Sequence, residues 1–118
     1  MAFDLSSLAQ FTGSETLMRH QFFKQILMTE GVQALAKGAG AWWFVDMICG
    51  AQFRSKNKLD DVPFQVWKLN VEDKKASITV TDGNDNLISR CNISFTDFPE
   101  PGITLWLVNR TLMLPSEY

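Results

Sequence analysis

Past residue 63 the chain alternates apolar and polar side chains with a period of two. Trp67, Leu69 and Val71 fall on one side of a strand, with Lys68 and Asn70 on the other. Ala76, Ile78 and Val80 repeat the pattern, and residues 72–75 between them are few enough to be a turn. Thr81, Asp82, Gly83, Asn84, Asp85 and Asn86 concentrate residue types that tolerate positive φ and give the strongest turn signal of the chain. Leu87, Ser89, Cys91, Ile93 and Phe95 line one face of a third strand. Pro99, Glu100, Pro101 and Gly102 interrupt, and Ile103, Leu105 and Leu107 define a fourth. Asn109 and Arg110 then turn the chain into a fifth short segment at 111–114. Short links between alternating segments predict an antiparallel meander with one face covered.

Before residue 63 the spacing changes to that of helices. Thr29 is placed as an N-cap, with Glu30 in the first turn, where the helix dipole favours an acid. A helix over 30–37 puts Val32, Leu35 and Ala36 on one face, and Gly38 is placed to end it. A second helix starts near Ala41. Ala41, Phe44, Val45, Ile48 and Cys49 recur at i, i+3, i+4, i+7 and i+8, widened by Trp43 and Met47. A helix this apolar must be largely buried. Residues 4–10 fit a short helix or an ordered arm. Residues 16–28 fit either period, and a strand is the preferred reading. Residues 52–62 are polar and form a surface loop that Pro63 closes. The fold class predicted is therefore α+β: a helical N-terminal half packed on one face of a four- to five-stranded antiparallel meander, in a single domain over 1–118.

Composition adds limits. With 118 residues, 46% hydrophobic and 20% charged, the chain can bury a core without disulfides or a metal. A net charge of −2 argues against nucleic acid as the main partner, though not against a local basic patch. Cys49 and Cys91 lie in different elements and belong to no C-x-x-C pair, so both read as reduced, buried, small apolar side chains. The first ten residues lack the basic and apolar regions of a signal peptide. The apolar run 39–49 is too short to span a bilayer and contains Asp46. Both features point to the cytoplasm.

Candidate chemistry is sparse, and no cofactor or metal is expected. His20 is the single histidine, too little for a zinc site. Asp46 lies inside the most apolar helix. It either marks the solvent side or bonds a neighbour, or else is a perturbed carboxylate in a pocket. Asp82, Gly83, Asn84 and Asp85 loosely match a calcium loop but lack its ligand alternation and closing glutamate, so turn chemistry explains them better. Asp97 is expected to cap or turn the chain before Pro99. Gly38 and Gly40 precede a helix without a phosphate-loop pattern and read as a joint between helices. Arg54, Lys56 and Lys58 form a basic cluster, weakened by Asp60 and Asp61. Aromatic residues stand out: four tryptophans and nine phenylalanines. Trp42 and Trp43 project about 100° apart on a helix. Trp106 falls opposite Ile103, Leu105 and Leu107, so these rings serve either a two-sided core or an interface.

Several segments together resemble a known family. These are Phe11-Thr12-Gly13-Ser14-Glu15, Thr29-Glu30-Gly31-Val32, Ala39-Gly40-Ala41-Trp42-Trp43, Phe64-Gln65-Val66-Trp67, Asp82-Gly83-Asn84, Thr96-Asp97-Phe98-Pro99 and Leu114-Pro115-Ser116-Glu117-Tyr118. In this order, over nearly the whole chain, they resemble a family of small proteins of unknown function carried by bacteria, phages and plasmids. Glu30 departs from that pattern, where Asp is more frequent, and keeps the charge. The resemblance implies no established activity and transfers no catalytic residue. It implies a binding protein directed at a host system, such as an inhibitor of a bacterial defence complex of the anti-CRISPR kind.

Three functions follow in order of preference. The first is a non-enzymatic module for a protein partner, or for a second copy in a symmetric dimer, engaging it through Trp42, Trp43, Asp46, Trp106, Asp97 or His20. The second is a small enzyme whose acidic site draws on Asp46, Asp97 and His20. The third is nucleic-acid binding through Arg54, Lys56 and Lys58, with Lys74 and Lys75. No membrane partner is expected.

Overall fold

A computed structural model describes residues 8, 17–19, 26–53, 59 and 62–118. The elements are β1 (Leu17–Arg19), β2 (Leu27–Thr29), α1 (Glu30–Gly38), α2 (Trp42–Ala51), β3 (Phe64–Glu72), β4 (Lys75–Asp82), β5 (Leu87–Ile93), β6 (Gly102–Val108) and β7 (Thr111–Met113), with a terminal 3₁₀ turn, Pro115–Glu117. All seven strands form one sheet in the order β1-β2-β7-β6-β3-β4-β5. Neighbours are antiparallel except β2 and β7, which are parallel.

This corrects the predicted fold class. The protein is mostly sheet, mixed rather than a four- to five-stranded meander, and its N-terminal part is not a helical half but two strands and two short helices. The reason is topological. Periodicity reports which face a residue occupies, whereas the β2–β7 pairing joins Met28 to Leu112 across the chain and leaves no local signature. The ambiguous stretch 16–28 contributes β1 and the first part of β2, and its residues 16 and 20–25 lie outside the described ones.

The local signals hold where chemistry sets them. Thr29 caps α1, its Oγ1 accepting from the Val32 N–H at 3.3 Å. Gly40, at φ 62°, makes the joint to α2, and the Ala41 N–H donates to the Ala36 carbonyl at 2.9 Å. The β3–β4 hairpin turns through Asp73 and Lys74, both at positive φ, which matches the strand twist. The Asp82 carboxylate accepts from the Asn84 and Asn86 N–H groups at 2.8 and 3.0 Å and from the Asn86 side-chain amide at 3.0 Å. These hydrogen bonds from Asn86 and Asn84 hold its pKa below the ordinary carboxylate value.

Both helices cover one face of the sheet. Val32, Leu35, Ala36, Phe44, Val45, Ile48 and Cys49 pack with Trp67, Leu69, Ile78, Val80, Leu105, Leu107 and Leu112 in the core. Each large side chain buried there contributes about 1.5–3 kcal/mol. Helices of nine and ten residues are marginal alone, so the sheet holds them. The predicted third-strand face is corrected at its ends. Leu87 and Phe95 are both 61% exposed, and Cys91 is exposed rather than buried. β5 is an edge strand, and a register shift opposite Val80 and Thr81 breaks its alternation.

Candidate functional site

Two buried polar assemblies tie the sheet to the segments packed around it. At the first, Gln65 and Gln52 exchange side-chain amide hydrogen bonds of 2.8 and 2.9 Å. The Gln65 amide nitrogen also reaches the Leu59 carbonyl at 2.7 Å, and its oxygen accepts from Trp67 Nε1 at 3.0 Å. Gln65 takes an inward position of β3, where alternation asks for an apolar residue, and this network explains it. At the second, buried Glu117 receives the Thr29 hydroxyl at 2.6 Å and the Leu114 N–H at 3.0 Å on Oε1, and the Gly31 N–H at 3.2 Å on Oε2. The C-terminal turn thereby caps the N-terminus of α1.

A cleft of about 320 Å³ opens on the helix-covered side. It is lined by Gly40 just before α2 and Trp43 in its first turn, by Ile93 at the end of β5 and by Phe95, Asp97 and Phe98 after it. Its far wall is shaped by Thr96. The Thr96 N–H donates to the Lys74 carbonyl at 2.7 Å, and its hydroxyl accepts from the Phe98 N–H at 3.1 Å. Phe98 is thereby turned into the core and Phe95 out to solvent. The turn role expected of Asp97 belongs to Thr96, which leaves the Asp97 side chain exposed beside the rings. A second cleft of about 240 Å³ runs between α2 and the β4–β5 edge, with Met47, Trp67 and Cys91 on its walls.

The opposite face of the sheet carries a second aromatic group. Phe64, Trp106 and Tyr118 stand in mutual contact, with ring centroids 5.1, 5.6 and 5.8 Å apart. Phe64 and Trp106 occupy the outward positions of β3 and β6, and Tyr118 follows the terminal turn and is 73% exposed.

The candidate residues are thus divided. Trp43 and Asp97 line one cleft. Trp42 is half-buried against the core. Asp46 is exposed on α2, one turn beyond Trp43, and does not line that cleft. The neighbouring Cys49 thiol is pushed up to about 12, first by burial and then by Asp46. Trp106 faces the other way. His20, Arg54, Lys56 and Lys58 lie outside the described residues. Among the described residues no group of three or more His, Cys, Asp or Glu side chains is arranged to hold a metal. No helix among them is long and apolar enough to cross a membrane. Sequence reasoning missed Gln52, Gln65 and Glu117. Gln65 was visible as a polar residue in phase with Trp67, Leu69 and Val71, whereas Glu117 had no local signal.

A family model matches residues 3–118, nearly the whole chain. The chain belongs to DUF6876, a family of unknown function. Membership agrees with the resemblance carried by the motifs from Phe11 to Tyr118. The segments that carried the resemblance fall as follows in the fold: Thr29 to Val32 on the capped start of α1, Phe64 to Trp67 on the glutamine network, Thr96 to Pro99 on the cleft wall and Leu114 to Tyr118 on the turn that caps α1. Comparisons with curated proteins and with solved structures return no match.

Proposed function

We propose that the chain is a non-enzymatic module that binds a protein partner through the cleft beside Trp43. One observation carries the reading: Trp43 and Phe95, 37% and 61% exposed, line a single concave site with Asp97 among its walls. Exposed rings around a concavity suit an anchoring side chain of a partner. With a carboxylate beside two aromatic faces, the matching anchor is a lysine or arginine presented on a protein surface. Asp46, exposed one turn along α2, adds negative charge on the same helix. Inhibition of a bacterial defence complex is the use we propose for this binding, following the mobile-element resemblance.

The acidic-site enzyme needs at least two of Asp46, Asp97 and His20 to converge; Asp97 lines the cleft, Asp46 does not, and His20 lies outside the described residues, so no observation favours it. The binding reading is tested by placing a photo-crosslinking amino acid at position 95 and irradiating in bacterial cells that carry such a defence system. A discrete, saturable protein adduct is expected. Trp43→Ala or Asp97→Lys should reduce it at least about tenfold, the effect of losing roughly 1.4 kcal/mol at an anchor. An absent adduct, or one that both variants leave intact, refutes the proposal.

A further inference from the structure

The strand register places a patterned surface on the face of the sheet opposite the helices. Met113, Trp106, Val66 and Thr81 form one row across β7, β6, β3 and β4. The next row is Thr104, Lys68, Thr79 and Arg90, and the one after it is Gly102, Asn70, Ser77 and Asn92. These rows hold two exposed cations, hydroxyls and amides, and no acid, although the chain carries 13 acids against 11 bases. Along the strands the first acid on this face is Glu72, opposite Lys75 where the hairpin turns, and the terminal turn beside it carries Glu117, buried against Thr29. Among the described residues only the terminal turn, through Tyr118, reaches over the face, joining Trp106 and Phe64.

We infer that this face binds single-stranded nucleic acid. Three of its features match that ligand together. Tyr118, 73% exposed and set edge-on to Phe64 and Trp106, offers an aromatic ring on which a base stacks, and every base has a π-face. Lys68 sits diagonally across from Trp106, about 7–8 Å away between backbones, and Arg90 lies two strands further along the same row, so phosphates flanking a stacked base meet positive charge. The threonines, serine and asparagines supply donors and acceptors for base edges and sugars. The antiparallel run β7-β6-β3-β4-β5 presents all of these on one surface. The acidity of the whole chain is no obstacle, because the potential that acts on a bound strand is that of the face it touches. The inference is independent of the cleft, which lies on the helix-covered side.

The test is fluorescence anisotropy with a fluorescein-labelled 20-nucleotide oligo-dT or oligo-U, titrated with the full chain at several salt concentrations. Saturable binding with Kd of about 1–100 µM near 0.1 M salt is expected. Trp106→Ala and Tyr118→Ala should each weaken it about 5- to 100-fold. Lys68→Glu with Arg90→Glu should flatten the slope of log K against log salt by about 1.4, two phosphates at roughly 0.7 each. Lys37→Glu, on the exposed side of α1, should leave binding within about twofold, and circular dichroism reports whether each variant folds. No saturable change at 100 µM protein overturns the inference. So does an effect of Lys37→Glu equal to that of the charge reversals. Polyglutamate competing as well as unlabelled oligo-dT also overturns it and identifies an acidic peptide as the ligand.

Discussion

Replacing Glu117 tests whether the C-terminal turn holds the protein together. In Glu117→Ala the Thr29 hydroxyl and the Leu114 and Gly31 N–H groups lose their acceptor at a site where Glu117 is only 7% exposed. A hydrogen bond to a charged group is worth about 1.5–3 kcal/mol, and an acid at a helix N-terminus adds about 0.3–1 kcal/mol. Water entering the vacated space recovers part of this, which leaves a loss of about 3–5 kcal/mol. At roughly 4 °C per kcal/mol for a chain of this size, Tm should fall by about 12–20 °C. Glu117→Gln keeps one acceptor oxygen and should lose about half as much. Gly31 provides an internal control. A Cβ there would lie 2.5 Å from Glu117 Oε1 and 2.6 Å from Leu114 Cδ1. Gly31→Ala should therefore destabilise, although alanine in an unobstructed helix gains about 0.8–1 kcal/mol over glycine. In the double variant with Glu117→Ala the nearest clash is gone, so the two losses should be less than additive. Urea and thermal unfolding of the four proteins measure this. A fall of less than about 3 °C in Glu117→Ala, or strict additivity, refutes the argument.

Other substitutions probe the rest of the fold. Gln65→Ala strands the Gln52 side-chain oxygen and the Trp67 N–H in the core and should cost about 3–4 kcal/mol in urea unfolding, with a changed near-UV signal from Trp67. Gly102→Ala should prevent the native β3–β6 register, because its Cβ would fall 1.8 Å from the Leu69 carbonyl oxygen at φ +110°; loss of the cooperative unfolding transition or at least about 3 kcal/mol is expected. A thiol reagent at pH 8 should titrate Cys91 rapidly and Cys49 only after unfolding. Because the folded Cys49 pKa of about 12 exceeds the ordinary thiol value of 9.0, the native state holds that proton more tightly. Its contribution is complete below pH 9 and is lost as pH rises towards 12, by about 1.4 kcal/mol per unit, and Cys49→Ala should flatten that alkaline limb.

Much of the local structure was legible in the sequence. The capping of α1 by Thr29, the stripe of Ala41, Phe44, Val45, Ile48 and Cys49, and the turns at 73–74 and 82–86 follow from side-chain chemistry within a few residues, so one stretch of chain specifies each. The inward and outward positions of β3, β4 and β6 were legible for the same reason, including the placement of Trp106 opposite Leu105 and Leu107. Strand neighbours were not, because a parallel partner such as β7 for β2 is chosen by the whole chain's packing. The exposure of Leu87, Cys91 and Phe95 follows from β5 being last in the sheet, a property of order rather than of pattern. Sites made by distant segments share that limit. Trp43 and Asp97 share a cleft, Glu117 bonds Thr29, and Phe64, Trp106 and Tyr118 meet, only because tertiary packing brings separate stretches together. Short-range chemistry settled the elements and their faces; long-range packing settled their order and every surface that could recognise a partner.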